Sequence, residues 1–161
     1  MEAVLMPDAR YFDILEHSSV RFGYRIAVLS NWYRGPGYKF IENKYGLTEP
    51  ECSALFCIGH GQGLTATDVC RITGRPKNSM SRAIHLLKEK DLLLRKLDPN
   101  DGRRRILQLT SDGRALFVKT IPVFLKTENE ILKPLTPREL SNLDRLLTKM
   151  IANVTKAPKA Y

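Results

Sequence analysis

Three adjacent arginines carry the strongest chemical signal in this sequence of 161 residues. Arg103, Arg104 and Arg105 follow directly on Asp101-Gly102, a dipeptide typical of the turn of a β-hairpin. A guanidinium group is always charged, and its forked donors match the oxygens of a phosphate or a carboxylate. Arginines at or just past the tip of a hairpin would therefore suit an anionic groove.

A second polar group precedes the hairpin, on a segment from Pro76 to Lys90 with apolar residues at helical spacing. The positions predicted to face a core are Met80, Ala83, Ile84 and Leu87. The opposite face carries Lys77, Asn78, Ser79, Ser81, Arg82 and His85. Side chains of these types can bond to base edges and phosphates, and arginine can read guanine with two bonds. We therefore expect this face, together with the three arginines, to bind DNA.

The charge distribution favours the same partner. The whole chain carries a formal charge of +9. Residues 71–105 contain eleven Lys and Arg against four Asp and Glu, which leaves +7 in 35 residues. A clustered basic patch is typical of phosphate binding, although charge alone would equally fit a solvated face.

Helix boundary signals place these groups in a helix-turn-helix. Thr48 and Glu51 have the spacing of a capping box, and Thr65 and Asp68 repeat it. The short helix after Thr65 should stop at Gly74, and the next should begin near Pro76. Two helices joined by a glycine turn and followed by a hairpin predict a winged helix-turn-helix over residues 47–110.

Helices are predicted on both sides of this unit, which makes the fold mainly α with a small β-hairpin wing. Residues 1–46 should hold a loose leader over residues 1–16 and a helix from Ser18 that ends at Gly46. Gly35-Pro36-Gly37 predicts a kink or a break in that helix. Residues 111–161 should hold a long helix that opens at Ser111 and a last one capped by Thr136.

The last helix has a wide apolar stripe. Its members are Leu140, Leu143, Leu146, Leu147, Met150, Ile151 and Val154. A stripe of this width on a terminal helix favours a dimer interface, so the N- and C-terminal helices are expected to form a homodimer. The alternative is that they cap the core of a single chain.

Several other function classes are disfavoured. The three histidines have no metal-ligand spacing, and no nucleophile elbow or phosphate loop occurs, so neither an enzyme nor a cofactor or metal site is predicted.

Cys52, Cys57 and Cys70 are odd in number and have apolar neighbours, which favours buried reduced thiols. The first ten residues lack the apolar run of a signal peptide, and no apolar run is long enough to span a bilayer, so we expect a cytoplasmic protein.

The order of these motifs resembles the MarR family of bacterial transcriptional regulators. Gly46-Leu47-Thr48-x-x-Glu51 is similar to the entry of the family's second helix, and Asn78-Ser79-x-Ser81-Arg82 to the start of its recognition helix. Asp101-x-Arg103-x5-Leu109-Thr110 matches the family's wing signature. The resemblance covers about residues 20–154 and departs from the family at Gly35-Pro36-Gly37, where relatives usually continue one long helix.

The resemblance implies a homodimer that binds a palindromic operator in double-stranded DNA and that a small aromatic acid or phenol releases. It also implies that Asp101 supports the wing through an ion pair with Arg103. Arg103 or Arg104 would reach the minor groove, while Arg105 would lie back along the strand near phosphates.

The effector is expected to bind where the first long helix meets the helices after Thr48 and Ser111. Arg21 and Arg25 share a face of the first helix and could hold a carboxylate. Tyr24, Trp32 and His60 could contact the ring or a polar substituent. The competing interpretation is that these residues serve only packing and salt bridges.

Two further functions stay open on the same fold. One is a thiol-based oxidant sensor, although Cys52 and Cys57 are five apart and do not share a helix face. The other is a winged helix that binds protein, which would have no salt-dependent affinity for DNA.

Overall fold

A computed structural model describes residues 16–154. Six helices and one hairpin lie wholly within that range: α1 (Arg21–Tyr45), α2 (Glu49–His60), α3 (Ala66–Thr73), α4 (Lys77–Glu89), β1 (Leu93–Asp98), β2 (Asp101–Leu109), α5 (Ser111–Leu132) and α6 (Pro137–Val154). The predicted leader lies outside the described residues, save for its last one. The helix-turn-helix, the hairpin and the flanking helices confirm the predicted fold class.

Local signals set most of these boundaries. The Thr48 N–H donates to the Glu51 carboxylate at 2.8 Å, and the Thr65 N–H donates to Asp68 at 2.9 Å, so both capping boxes form as predicted. Gly46 ends α1 and Gly74 ends α3, each with φ 65°. Glycine reaches this left-handed conformation without the steric cost that a Cβ brings.

Of the kink or break predicted at Gly35-Pro36-Gly37, the break is wrong, because α1 runs through Pro36 without interruption. Proline removes one backbone donor from a helix, and its ring also crowds the Cβ of the residue before it. That residue is Gly35, which has no Cβ. Gly37 is buried against Phe124, where a Cβ would lie 2.9 Å from the Phe124 ring, so tertiary packing also favours the continuous helix.

The hairpin turn is one pair of residues earlier than predicted. Asp98 pairs with Asp101, so Pro99 and Asn100 form the turn, and Asp101-Gly102 already belongs to β2. The Asn100 N–H donates to the Asp98 carboxylate at 3.0 Å. Proline presets the backbone for a turn and an aspartate before it accepts such a bond, so these residues outcompete Asp-Gly.

The chain divides into two compact units, one up to Phe124 and the other from Leu125. In the first unit, a core of side chains from α1 to α5 and the hairpin includes Ile41, Leu55, Val69, Met80, Ala83, Ile84, Leu87, Leu107 and Phe117. The four positions of α4 that were predicted to face the core, Met80, Ala83, Ile84 and Leu87, are all buried. In the second unit, α6 has no buried residue.

Candidate nucleic-acid interface and adjoining cavity

The polar face of α4 is open to solvent. Lys77, Asn78, Ser81, Arg82 and His85 are exposed, and Ser79 is half-buried. His85 Nε2 lies 3.3 Å from Glu89 Oε1, one turn further along the helix. The burial of the apolar stripe on the opposite side fixes the rotation of α4, so these side chains face outward as a group.

The arginines of the wing lie on an irregular stretch of β2. Leu97 pairs with Arg105 and Asp98 pairs with Asp101, so residues 102–104 have no opposite residue on β1. An unpaired stretch of this kind bends a strand and redirects its side chains. All three arginines are exposed, in agreement with their predicted place just past the tip.

The wing is supported by a different arginine from the one that the family resemblance implied. The Asp101 carboxylate accepts a hydrogen bond from the backbone N–H of Arg103 at 3.0 Å, in place of the expected side-chain ion pair. The guanidinium of Arg104 instead bonds to Asp98 and Asp68, each at 3.3 Å, and to the Gly63 carbonyl at 3.1 Å. Arg104 therefore ties the wing to the start of α3.

Asp68 is the anionic centre of this contact. Its carboxylate accepts hydrogen bonds from Thr65 and Arg104 and lies 2.8 Å from Arg71. The bonds from Thr65, the cap of α3, lower the pKa of Asp68 most, and Arg104 and Arg71 lower it further. The carboxylate is thus held in its charged form, which preserves both the helix cap and the wing contact.

Another ion pair lies at the C-terminal end of α4. Lys90 caps α4, and its ammonium group donates to Glu51 at 2.5 Å and to the Gly46 carbonyl at 2.8 Å. Burial of Glu51 would raise the pKa of that carboxyl, but hydrogen bonds from Lys90 and Thr48 outweigh this and lower it. The end of α4 is therefore joined to the turn between α1 and α2.

A cavity of about 860 Å³ lies among α1, α2, the end of α3, the turn before α4, and Phe124 of α5. Its aromatic wall consists of Tyr33, Tyr38, Phe56 and Phe124, and the rings of Tyr38 and Phe56 each meet Phe124 edge-on with centroids 5.1 Å apart. Polar groups enter from Arg34, Arg75, His60 and Ser53. Aromatic surface with a few convergent polar groups is typical of a small-molecule site.

Only one of the predicted effector residues lines this cavity. His60 does so, and its Nδ1 donates to the Phe56 carbonyl at 3.0 Å. Arg21, Tyr24, Arg25 and Trp32 are exposed on α1 and are not among the lining residues. Arg21 precedes Arg34 by 13 residues, about 20 Å along a helix, so the predicted arginine pair lies near the start of α1, far from the part of that helix that lines the cavity.

Sequence reasoning missed Arg34, Arg75 and Tyr38 as cavity residues. Arg75 could have been noticed, since it stands immediately before the proline that begins the recognition helix. Arg34 and Tyr38 share a helix face four residues apart, but nothing in the sequence distinguishes that pair from Arg21 and Arg25.

Two of the three thiols, those of Cys52 and Cys57, have little nucleophilic character. Burial raises the pKa of Cys52 to about 12. Burial, and to a lesser degree the negative charge of Asp68, raises the pKa of Cys57. Because a thiolate is the reactive form, these two cysteines are poor candidates for oxidant sensing.

Two general findings complete the description of the site. Among the described residues, no helix has the length and apolar content needed to cross a membrane. Within residues 16–154, no group of three or more His, Cys, Asp and Glu side chains could hold a metal ion.

Several known proteins that are similar to this chain in sequence or in fold are transcriptional regulators. The MarR family model matches residues 45–104. Transcriptional regulator HosA from Escherichia coli O111:H- is 25% identical over 105 residues, which cover 65% of this chain and 78% of HosA.

Two solved structures extend the likeness to the flanking helices. A MarR-family regulator from Silicibacter pomeroyi has a TM-score of 0.77 at 22% identity, covering 93% of this chain and 97% of its own. A MarR-family regulator from Listeria monocytogenes, solved with a 26mer DNA, has a TM-score of 0.76 at 20% identity, covering 86% and 97%. The shared fold thus includes α1 and α5 as well as the winged helix.

Proposed function

We propose that this protein is a transcriptional regulator of the MarR family, a proposal supported by the match over residues 45–104 and by the likeness to HosA. We further propose that it represses transcription by binding a palindromic operator as a homodimer. A small aromatic acid or phenol would release it from the DNA. The observation that carries the DNA-binding part is the exposed polar face of α4 beside an arginine-rich wing. This regulator would act in the cytoplasm, where its DNA is.

Each part of the interface has a separate task in this proposal. Asn78, Ser79, Ser81 and Arg82 lie in the N-terminal half of α4, the part that enters the major groove in helix-turn-helix proteins. Lys77 and His85 would contact phosphates, as would Arg105. Arg103 would enter the minor groove, and Arg104 would hold the wing in place through Asp68 and Asp98.

The homodimer is supported by apolar surface that neither terminal helix buries. On α6, Leu146, Leu147, Met150, Ile151 and Val154 are exposed, and on the first half of α1 so are Phe22, Ile26 and Leu29. Large apolar side chains exposed along one helix are typical of association sites. Two copies would present two recognition helices to the two halves of a palindrome.

The effector would bind in the cavity of about 860 Å³, where aromatic rings and two guanidinium groups suit an aromatic carboxylate. Release follows if the ligand prefers a form of the dimer that fits DNA poorly, because a ligand shifts an equilibrium only by its differential affinity for the two states.

A salt titration tests the DNA-binding part. Operators would first be selected from a random duplex pool, and mobility shifts would then be measured from 50 to 200 mM salt. If the dimer neutralises about 6–10 phosphates, its affinity should fall about 10³- to 10⁵-fold over this range. Binding that is indifferent to salt, or no binding to any duplex, would refute the proposal and favour a protein-binding winged helix.

A further inference from the structure

Glu49, a residue of the protein itself, pairs with both guanidinium groups that line the cavity. One oxygen of this carboxylate, Oε1, accepts hydrogen bonds from both Arg34 and Arg75. Both arginines line the cavity, whereas Glu49 does not. A single carboxylate thus serves two guanidinium groups, which leaves net positive charge and unused donors at the edge of an aromatic cavity.

The three residues belong to three different elements. Arg34 is in α1, Glu49 is the first residue of α2, and Arg75 stands two residues before α4 begins. The Glu49 carboxylate therefore links the helix that carries exposed apolar residues to the start of the DNA-reading helix. Loss of the Arg75 contact would remove one restraint on where α4 begins.

The partial exposure of these groups makes the contacts exchangeable. The side chains of Arg34 and Glu49 are 40% and 38% exposed, and that of Arg75 is 20% exposed. Ion pairs in such positions contribute little net stability, because water solvates the separated groups nearly as well. A second carboxylate close by can therefore replace the first at small cost.

We propose that Arg34 and Arg75 form an anion subsite that Glu49 fills in the ligand-free protein and that the carboxylate of an aromatic acid takes over. The ring of the acid would pack against Tyr38, Phe56 and Phe124 while its carboxylate displaces Glu49. This exchange rests on the proposed effector function and gives it a mechanism: the ligand releases Glu49, at the start of α2, from its contacts with Arg34 and Arg75.

Glu49 competes with a ligand carboxylate for the two arginines. The apparent affinity for the ligand is therefore reduced in proportion to the fraction of protein molecules in which the arginines are free. Glu49→Gln removes the negative charge and so weakens that competition, while it keeps the shape of the side chain. Benzoate should then bind about three- to tenfold more tightly, from the usual range for two partly exposed pairs. Benzyl alcohol, which has the same ring without the charge, should bind both proteins equally.

Isothermal titration of the full chain with benzoate and with benzyl alcohol provides the test. Glu128→Gln, an exposed glutamate on α5, is the matched control and should bind benzoate like the wild type. Arg75→Lys keeps the charge but loses the fork, and should weaken benzoate binding without affecting benzyl alcohol. Operator release should need correspondingly less benzoate in Glu49→Gln.

The outcomes separate this inference from the function on which it rests. Equal benzoate affinity in wild type and Glu49→Gln would overturn the exchange and leave an aromatic-acid effector standing. If no variant binds benzoate while operator binding persists, the exchange and the aromatic-acid effector both fail, and DNA binding stands. Tighter binding of benzyl alcohol as well as benzoate by Glu49→Gln would also overturn the exchange, because the effect would not depend on charge.

Discussion

The buried carboxylate of Glu51, 1% exposed, accepts a hydrogen bond from the ammonium group of Lys90 at 2.5 Å, 39 residues along the chain. The same ammonium group donates to the Gly46 carbonyl at 2.8 Å. Because Lys90 caps α4, this contact fixes the end of that helix against the turn between α1 and α2.

Lys90→Ala should lower the free energy of unfolding. Glu51 keeps its two bonds from Thr48 but loses the only cation it is paired with among the described residues. An unsatisfied buried acceptor costs about 1–3 kcal/mol. Urea denaturation measures the change, with Lys88→Ala on the exposed side of the same helix as control. Equal stability of the two variants would mean that Lys90 does not compensate Glu51.

Acid should weaken the same contact. The folded-state pKa of Glu51 lies below its ordinary value of 4.5, so its contribution to stability is fully present above about pH 4.5 and is lost as pH falls through the lowered pKa. The stability difference between wild type and Glu51→Gln should therefore shrink as the pH is lowered below 4.5. A difference that is constant from pH 7 to pH 3 would contradict the assigned shift.

Arg104→Ala should loosen the wing without unfolding the protein. The substitution removes the contacts to Asp68, Asp98 and the Gly63 carbonyl, so amide hydrogens near the tip of the hairpin should exchange faster. Operator affinity should fall through loss of wing order as well as charge. Arg104→Lys keeps the charge, so faster exchange in both variants would identify the forked contacts as the cause. Unchanged exchange in both would rule out the bracing role.

Gly37→Ala should destabilise the protein although alanine favours helices. The new Cβ would meet the Phe124 ring at 2.9 Å, and overpacking of a core typically costs about 1–3 kcal/mol. Gly23→Ala is the matched control in the same helix, where nothing lies within 4 Å of the added Cβ, and it should stabilise by up to about 1 kcal/mol. Thermal melts that rank the two variants in the opposite order would contradict this packing.

Arg82 and Arg103 should affect DNA binding in different ways. Arg82→Ala should cost about 1–3 kcal/mol and relax the preference at one base pair in each half-site. Arg103→Ala should weaken binding to most sequences evenly and lower the salt slope. Selection from a random duplex pool with each variant measures both effects. An unchanged sequence preference in Arg82→Ala would mean that Arg82 does not contact a base.

Local chemistry in the sequence determined the capping boxes at Thr48 and Thr65, the glycine ends of α1 and α3 and the buried stripe of α4. These features depend on residues within one or two turns of each other, so their patterns can be read directly. The family resemblance on these motifs was also sufficient to identify the winged helix. The turn at Pro99-Asn100 could not be predicted in this way, because Pro99-Asn100 and Asp101-Gly102 are adjacent and both are typical of turns.

Only the tertiary structure decided which charged groups meet. Glu49 joins Arg34 and Arg75 from 15 and 26 residues away, and Arg104 reaches Asp68 from 36 residues away. A sequence pattern defines a helix face but not the element that the face packs against, and many arginines could pair equally well with each carboxylate. Packing of α1 across Pro36 against Phe124 selected the second half of that helix for the cavity and left the first half exposed.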